Sequence, residues 1–582
     1  MSRNPKKPPQ EWYGCYRVDS DSMGYESKDG YAPIIYGFAW VQEPIRDPKS
    51  KQMSYLVRIE PLVGEACTIR VEAKDLNSNG RIATILGNNG IIVQLPSKVQ
   101  PLLASTASHG NFTQKTPRIL IEQPGWFASG NGFYTGTVPI LAPSVVARTY
   151  RFEPVISSPF AIKGDLDGWW ENVGQHIASN PLVLGATCLG MASPFLQQAE
   201  QGSRMVCFWG PKGCGKTLAI QCAATVFGNG IDPAAGTYAD DVPYVTKFST
   251  TTNGIEPSLE RYSPMFIPLD ELTEQQGTFM GELAYKISSG EGKHRMTSHL
   301  KPAKSHRWHL VLLTTSEKPL ADLLAAGGKK VYGGMLDRAI DIEIGGHGVF
   351  NDFGDFGSFK ALTRHLKAAC GQHYGAAGHA LLEYAVNNPD AVSQRLAELK
   401  DIEERLLPEN CGDGERRVVK CFSLAEAIGK LAIDAGILRC DEQQVLDAMQ
   451  TVTDLWWYSR GGALRTIANF LIENQNRIEV RTPADPVRNA IYALDDCFII
   501  PKFIFDHEFG EDANRMVSEL TALDALIRDT KNGNRTKIRY CNNRMWAYVF
   551  PLKKLEPYLD RALEAQPGKK KIAGDNIDEM FE

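Results

Sequence analysis

The sequence predicts an α/β fold, because apolar strands and helical patterns alternate from about residue 204 to 345. Within that region an apolar run at 205–209 is followed by a glycine-rich turn and a helical pattern over 218–226. From 357 to 475 the apolar residues recur with nearly continuous helical spacing. We therefore expect a strand–turn–helix core followed by a helical region.

The residues from 11 to 155 indicate a β-rich region instead. Short apolar runs at 34–41, 54–59 and 119–122 are typical of strands. Three Asn-Gly pairs predict turns between such strands: Asn79-Gly80, Asn89-Gly90 and Asn131-Gly132.

The turn at 210–217 has the pattern G-x-x-x-x-G-K-T, the phosphate-binding P-loop. Gly213 and Gly215 let the backbone approach a polyphosphate closely, while Lys216 can reach the β- and γ-oxygens. The Thr217 hydroxyl can ligate Mg²⁺. The sequence thus predicts a nucleoside triphosphate site formed by Gly210, Pro211, Lys212, Gly213, Cys214, Gly215, Lys216, Thr217 and Leu218.

A second apolar strand, 265–269, is followed by the adjacent carboxylates of Asp270 and Glu271. Asp270 is expected to hold Mg²⁺ through water, and Glu271 to orient and polarise the attacking water. The second acid is typical of hydrolases. An acidic pair on the surface at a strand end is the alternative.

A third strand, 308–313, is followed by Thr314, Thr315 and Ser316. A polar side chain here can lie between the two acids and the γ-phosphate and sense hydrolysis. Thr315 is the residue we name for this role, and the spacing leaves Thr314 open as well. Both are otherwise ordinary threonines at a strand end.

The segment between the second and third strands is strongly basic. No Asp or Glu occurs from 292 to 316, and glycines flank a turn that carries Lys293, His294 and Arg295. We expect a hairpin whose tip contacts nucleic-acid phosphates. A solvated basic surface is the alternative.

A second basic stretch, 528–544, is interleaved with aromatic residues and follows a predicted helix at 513–528. A turn at 531–534 would make it a strand–turn–strand unit. The order helix then basic hairpin suggests a winged helix.

The whole chain has 582 residues and a net charge of −5, which excludes a uniformly basic surface but not a local basic channel. It has no apolar run of about 18 residues and no apolar segment at its start, so we expect no membrane contact and a cytoplasmic location. The expected parts are a disordered arm (1–10), a β-rich domain (11–160), the α/β core (161–356), a helical region (357–478), a winged-helix-like domain (479–565) and a disordered tail (566–582).

With these motifs the chain resembles the AAA+ ATPases of the domain-of-unknown-function nine-twenty-seven family, found in replication modules of phages and mobile elements. The resemblance covers roughly residues 120–385. Its motifs include Gly168-Trp169-Trp170, Asn180-Pro181-Leu182, Thr252-Asn253-Gly254-Ile255-Glu256, Leu269-Asp270-Glu271, Ser289-Gly290-Glu291-Gly292-Lys293, Thr315-Ser316-Glu317 and Arg338.

The resemblance extends to MCM-like replicative helicases, including those of staphylococcal cassette elements. It implies an AAA+ P-loop core with a helical lid and a C-terminal winged helix, ATP and Mg²⁺ as ligands, and a homohexamer. Arg338 would be presented to the neighbouring subunit's ATP, unless it pairs structurally with Asp337 or Asp341. Thr252-Asn253 would restrain the catalytic glutamate. Where such motors usually place Asn, this chain has a threonine.

The resemblance therefore implies an ATP-dependent DNA helicase that acts in replication of a phage or mobile element. Its expected partners are single-stranded and forked DNA, other copies of the chain, and a separate primase or loader. Two alternatives remain: an AAA+ ATPase that remodels a protein, and a nucleotide-gated regulatory or defence ATPase.

Overall fold

The structure is a computed structural model of the chain. The residues it describes are 6–109, 116–155, 158–234, 242–247, 255–272, 277–292, 305–320, 323, 338–345, 348–407, 412–460, 462–479, 490–494, 496–510, 513–527, 536–540 and 543–564.

The chain divides into two compact units. The first comprises Met1–Ala161 with His379–Ser393, and the second comprises Ile162–Gly378 with Gln394–Glu582. Among the described residues, no helix is both long and apolar enough to span a membrane. The finer predicted domain boundaries stay predictions.

The strands of the first unit are β1 (Trp12–Tyr13), β2 (Tyr16–Val18), β3 (Ser22–Ser27), β4 (Gly30–Tyr36), β5 (Phe38–Arg46), β6 (Met53–Glu60), β7 (Cys67–Glu72), β8 (Ile92–Val93), β9 (Arg118–Ile121), β10 (Gly125–Phe127), β11 (Gly132–Tyr134), β12 (Pro139–Leu141) and β13 (Tyr150–Phe152). They form an antiparallel sheet in the order β1-β2-β3-β4-β8 and a mixed sheet in the order β13-β9-β5-β6-β7. The strands β10, β11 and β12 form a small antiparallel sheet.

The N-terminal segment of this unit also contains three α-helices: α1 (Ala73–Leu76), α2 (Asn79–Asn88) and α3 (Pro96–His109). The turn predicted at Asn79-Gly80 is wrong, because these residues form the first turn of α2. Ile82 and Leu86, four residues apart, are both fully buried in the core. Burial of this helical face therefore overrides the local turn preference.

The second unit contains a parallel sheet, so the predicted α/β class is confirmed. Its strand order is β15-β16-β17-β14-β18, and every neighbouring pair is parallel. The carboxyl ends of all five strands consequently lie at one edge. The strands are β14 (Arg204–Trp209), β15 (Thr246–Lys247), β16 (Ile267–Leu272), β17 (Val311–Ser316) and β18 (Ala339–Glu343).

The helices in this part of the chain are α4 (Leu166–Trp169), α5 (Gln175–Ala178), α6 (Pro181–Ala192), α7 (Lys216–Ala224), α8 (Ile255–Tyr262) and α9 (Gly277–Ser289). Helix α6 is buried along its whole length after Pro181. Its residues are apolar or small on every side, as expected for a helix enclosed by others.

Further helices follow: α10 (Phe359–Ala369), α11 (Ala376–Asn387), α12 (Pro389–Ala397), α13 (Leu399–Leu406), α14 (Asp413–Asp434), α15 (Glu442–Arg460) and α16 (Gly462–Glu473). Of these, α14 and α15 pack against α6.

A second sheet lies near the C-terminus, in the order β19-β20-β21-β23-β22. The helix predicted over 513–528 ends at Ala522, and Asp524 then adopts a left-handed φ of 51°. Strand β22 pairs antiparallel with β23, with Tyr540 opposite Asn543, and the turn predicted at 531–534 falls outside the described residues. The elements are β19 (Ile478–Glu479), β20 (Ile491–Leu494), β21 (Cys497–Pro501), α17 (Lys502–Phe509), α18 (Ala513–Ala522), β22 (Thr536–Tyr540), β23 (Asn543–Pro551) and α19 (Leu552–Glu564).

Candidate nucleotide-binding site

The loop at 210–217 connects the carboxyl end of β14 to the first turn of α7. Gly213 and Gly215 have φ values of 80° and 95°, which favour glycine. A Cβ at Gly215 would also lie 3.1 Å from the Phe350 ring. The loop thus points the N-terminus of α7, with its unpaired N–H groups, toward the carboxyl edge of the sheet, an arrangement suited to anions.

Lys216 lies over this loop. Its Nζ donates hydrogen bonds to the carbonyl oxygens of Gly210 at 2.8 Å and Pro211 at 2.7 Å, and it contacts Cys214 Sγ at 3.5 Å. The ammonium group is therefore held at the mouth of the loop, where a phosphate group would approach.

Thr217 and Asp270 meet although they are far apart in sequence. The Thr217 hydroxyl donates a hydrogen bond of 2.9 Å to Asp270 Oδ1, and Asp270 is only 8% exposed. A hydroxyl beside a carboxylate provides the hard oxygen ligands that Mg²⁺ prefers, so the two residues fit a Mg²⁺ site.

Glu271 is the exposed neighbour of Asp270 within β16. Its φ of 52° is unusual for a residue other than glycine, and it lies at an irregularity in the pairing of β16 with β17. The predicted acids are therefore inside the strand rather than beyond it. Asp270 is buried, while Glu271 faces solvent.

Of the two candidate threonines, Thr315 lies next to the acids. Its hydroxyl donates to Asp270 Oδ1 at 3.4 Å and accepts a hydrogen bond of 3.0 Å from the Glu271 N–H. The Thr314 hydroxyl is buried with no hydrogen-bond partner among the described residues. Successive strand residues face opposite sides of the sheet, so only one threonine can face Asp270.

Arg338 lies at the opposite edge of the sheet from the loop. It immediately precedes β18, and the Met205 N–H at the start of β14 donates to its carbonyl oxygen at 3.4 Å. The five residues of β18 separate it from the carboxyl edge by about 15 Å. Its guanidinium lies 4.8 Å from the centre of the Tyr285 ring. The structure therefore does not bring Arg338 to the loop of its own chain.

The predicted tip residues Lys293, His294 and Arg295 lie outside the described residues, as do Thr252 and Asn253. The base of the hairpin is described. The Gly292 N–H donates to the His306 carbonyl at 2.9 Å, and the Trp308 N–H donates to the Gly290 carbonyl at 3.0 Å. Glu291 and Arg307 face each other in an antiparallel bridge. The two ends of the basic segment are thus paired directly before β17.

Two groups around the loop have shifted pKa values. Burial, followed by the negative charge of Asp341, raises the pKa of the Cys207 thiol well above its usual value. A hydrogen bond with the Glu317 carboxylate raises the pKa of exposed Lys212. Near neutral pH, the Cys207 thiol in β14 is therefore protonated and Lys212 in the loop is positively charged.

The sequence reasoning missed contacts that hold the loop from behind. The Val349 N–H donates to the Cys214 carbonyl at 2.8 Å. Asn180 Oδ1 accepts hydrogen bonds from the Asn351 and Asp352 N–H groups at 2.7 and 2.9 Å. The Asn180-Pro181-Leu182 motif was a signal that could have identified this contact.

Arg465 is a second residue that sequence reasoning missed. It forms an ion pair with Glu343 at the carboxyl end of β18, and its guanidinium lies 5.5 Å from the centre of the Trp209 ring. Trp209 directly precedes the loop. No local pattern around Arg465 indicates this position.

Residues 22–306 match the family model described as "Domain of unknown function (DUF927)". The chain carries a DUF927 domain. The match confirms the expected family, but it begins and ends earlier than the predicted range of 120–385. It includes the loop, both acids and the first paired residues of the hairpin base. A search of curated proteins found no match to the chain.

Among solved structures, the DUF927-containing chain is similar to one described as the active helicase Cch of SCCmec type IV. The two chains are 16% identical, the match covers 94% of this chain and 99% of that one, and the TM-score is 0.57. They share a fold. The apo C-terminal region of NrS-1 also matches, with 11% identity, coverage of 69% and 88%, and a TM-score of 0.25, which is too low to bear on the fold.

Proposed function

We propose that this protein is an ATP-dependent DNA helicase, an AAA+ motor that works as a homohexamer in replication of a phage or mobile element. One observation carries the proposal: Thr217, Asp270 and Thr315 are joined by hydrogen bonds beside the 210–217 loop. The fold shared with a structure described as an active helicase supports the motor class. Under this proposal the parallel sheet is the P-loop core, the helices after it are the lid, and the C-terminal sheet and helices are the winged-helix domain.

ATP would bind with its phosphates against the loop and the N-terminus of α7, where N–H groups and Lys216 supply positive charge. Thr217 and Asp270 would hold Mg²⁺, directly or through water. Bound Mg²⁺ supplies charge neutralisation on the phosphate oxygens. Loop residues from Gly210 to Leu218 would fix the position of the triphosphate.

Glu271 would orient the attacking water and accept its proton. Its exposed carboxylate follows the buried Asp270 directly, so one strand end would supply both the metal ligand and the base. General-base assistance of this kind contributes about 10²- to 10⁴-fold to a reaction rate.

Arg338 would act on the ATP of a neighbouring copy. Its position at the far edge of the sheet makes action within its own chain impossible without rearrangement, which favours an interface role. A guanidinium there would stabilise negative charge on the transferred phosphoryl group and couple hydrolysis to assembly.

The DNA-contacting part would be the tip that carries Lys293, His294 and Arg295. The paired base at Gly290–Gly292 and His306–Trp308 supports a hairpin at this place. Contacts from its cationic tip to phosphates would be independent of sequence. The basic stretch at 528–544 would add a second contact.

The test is ATP hydrolysis with and without single-stranded DNA, together with strand displacement on a forked duplex. We expect hydrolysis that DNA stimulates and displacement that requires ATP and Mg²⁺. Protein without ATPase activity would refute the proposal. ATP hydrolysis that DNA does not stimulate, without strand displacement, would favour an ATPase that remodels a protein. ATP binding without turnover would favour a regulatory ATPase.

A further inference from the structure

The backbone of Glu271 is held in a conformation that side-chain-bearing residues seldom adopt. Its φ is 52°, in the left-handed region, and the pairing of β16 with β17 shifts register between Leu269 and Leu272. A residue persists in such a conformation only where its surroundings fix it. The direction of the Glu271 carboxylate consequently depends on whatever fixes this backbone.

The Thr315 hydroxyl contacts this backbone directly. It accepts a hydrogen bond of 3.0 Å from the Glu271 N–H. Its own proton is donated to Asp270 Oδ1 at 3.4 Å, and the residue is only 2% exposed. Asp270 in turn accepts from Thr217 at 2.9 Å. A chain of hydrogen bonds therefore runs from the loop through Asp270 and Thr315 to the Glu271 backbone.

This arrangement leaves the Thr315 hydroxyl without a proton for a phosphate oxygen. A hydroxyl has one proton to donate, and here Asp270 receives it. A role in sensing the terminal phosphate would require that proton, so the geometry favours an indirect role through Glu271.

We propose that Thr315 is a positioning residue that holds the Glu271 backbone in its left-handed conformation and so directs the carboxylate toward the attacking water. The inference rests on the proposed ATP hydrolysis. Under this inference Thr315 acts by positioning the proposed base, Glu271, and does not recognise the triphosphate.

Thr314 provides a matched control in the adjacent position. It is the same residue type in the same strand, it is fully buried, and its hydroxyl has no hydrogen-bond partner among the described residues. Replacing either threonine by Val changes one buried hydroxyl to a methyl group. Only the change at Thr315 removes the contact with Glu271.

The experiment measures steady-state ATP hydrolysis and the binding of ADP and a non-hydrolysable ATP analogue to the full chain. Thr315→Val should lower kcat about tenfold, the loss expected when one hydrogen bond that stabilises the transition state is removed. Thr315→Ser should stay within about threefold of wild type, since the hydroxyl remains. Thr314→Val should retain wild-type kcat.

Two further readouts separate positioning from other roles. When Thr315→Val is added to Glu271→Gln, the rate of ATP hydrolysis should fall by less than about twofold relative to Glu271→Gln alone. Both changes act through the Glu271 carboxylate, so their effects should not add. The preference for the ATP analogue over ADP should be unchanged in Thr315→Val. A role in sensing phosphate predicts a loss of that preference, and a purely structural role predicts equal effects in both backgrounds. Either result would overturn the proposal.

Thermal unfolding of each preparation checks its fold, and Thr315→Ala replaces Thr315→Val if the latter does not fold. Wild-type kcat in whichever folded variant lacks the hydroxyl would overturn the positioning role and leave the proposed helicase intact. Failure of the proposed function would instead appear in the wild-type protein, as an absence of ATP hydrolysis, and would overturn both.

Discussion

The two edges of the parallel sheet in the second unit differ in what they hold together. At the carboxyl edge, Thr217, Asp270 and Thr315 are connected by hydrogen bonds within one chain. At the amino edge, Arg338 stacks on Tyr285, and the paired hairpin base lies directly before β17. The carboxyl edge thus holds the residues that the proposed hydrolysis would use, whereas the amino edge presents groups that would act on something outside the chain.

This difference follows from the parallel topology. All five strands end at the same edge, so residues at or after their carboxyl ends converge even when they are far apart in sequence. Residues that precede the strands collect at the other edge. If one edge performs the chemistry and the other contacts DNA or a neighbouring copy, variants at the two edges should differ in which activity they lose.

The largest effect is expected at the amino edge. Arg338→Ala should lower ATP hydrolysis about 10³-fold while leaving ATP binding intact, since an arginine finger supplies transition-state charge from a neighbouring subunit. Mixing the variant with wild type should reduce activity more steeply than the variant fraction, because each variant subunit disables an adjacent site. Activity is measured as a function of the mixing ratio.

Two control variants accompany this prediction. If Arg338 acts only by stacking on Tyr285, then Tyr285→Ala should reproduce the loss. The exposed Arg364 on α10 provides a neutral arginine-to-alanine control. A strictly proportional fall on mixing would point to a structural arginine.

At the carboxyl edge, Glu271→Gln should hydrolyse ATP at least about 10²-fold more slowly while still binding ATP and Mg²⁺. Lys216→Ala should instead weaken nucleotide binding, because under the proposal its cation would contact the ground-state phosphates. Binding and turnover are measured separately. Glu200→Gln is the matched control, since Glu200 is an exposed glutamate with a φ of 54° away from the site. Near-normal turnover in Glu271→Gln would refute the role of this strand end.

Sequence reasoning identified the loop and the two acids because local patterns encode them: a motif between an apolar strand and a helix, and acids directly after an apolar run. It could not choose between Thr314 and Thr315, because a shift of one residue reverses the face of a strand. The bulge that turns Glu271 outward depends on pairing with β17, which no local pattern reveals.

Contacts between distant segments were also beyond prediction. Asn180 bonds to residues more than 170 positions later, and Arg465 reaches Glu343 from a helix in another part of the chain. The turn wrongly expected at Asn79-Gly80 shows the same limit, since core burial decided the local structure.

Variants of the hairpin tip also test the amino edge, and they should change the rate of ATP hydrolysis less than Arg338→Ala or Glu271→Gln. Replacing Lys293 and Arg295 by Ala should leave basal ATP hydrolysis within about twofold of wild type and abolish unwinding. The slope of log K for single-strand binding against log salt concentration should become shallower by about 1.4, or 0.7 for each of the two lost phosphate contacts. Binding is measured over a series of salt concentrations. Replacing Lys360 and Lys367, exposed lysines on α10, removes the same charge elsewhere. Unwinding at the wild-type rate would show that the tip is only a solvated surface.

The smallest loss of function is expected from a residue that supports the loop indirectly, Asn180. This fully buried side chain donates to the His176 and Asp352 carbonyls at 2.9 and 3.0 Å and accepts from two backbone N–H groups. Asn180→Ala leaves these groups unpaired, which should lower the free energy of unfolding by about 1–3 kcal/mol. It should weaken ATP binding by less than about tenfold, because the segment it anchors supports Cys214 through a single hydrogen bond.

Chemical denaturation and nucleotide titration measure these two quantities. Asn387→Ala is the control, because that exposed side chain makes one hydrogen bond within its own helix and its loss should change stability by less than about 0.5 kcal/mol. If Asn180→Ala lost stability but bound ATP with wild-type affinity, the support behind the loop would be separable from the reaction edge. Loss of binding beyond tenfold with unchanged stability would instead mean that Asn180 acts on the nucleotide site through more than this one contact.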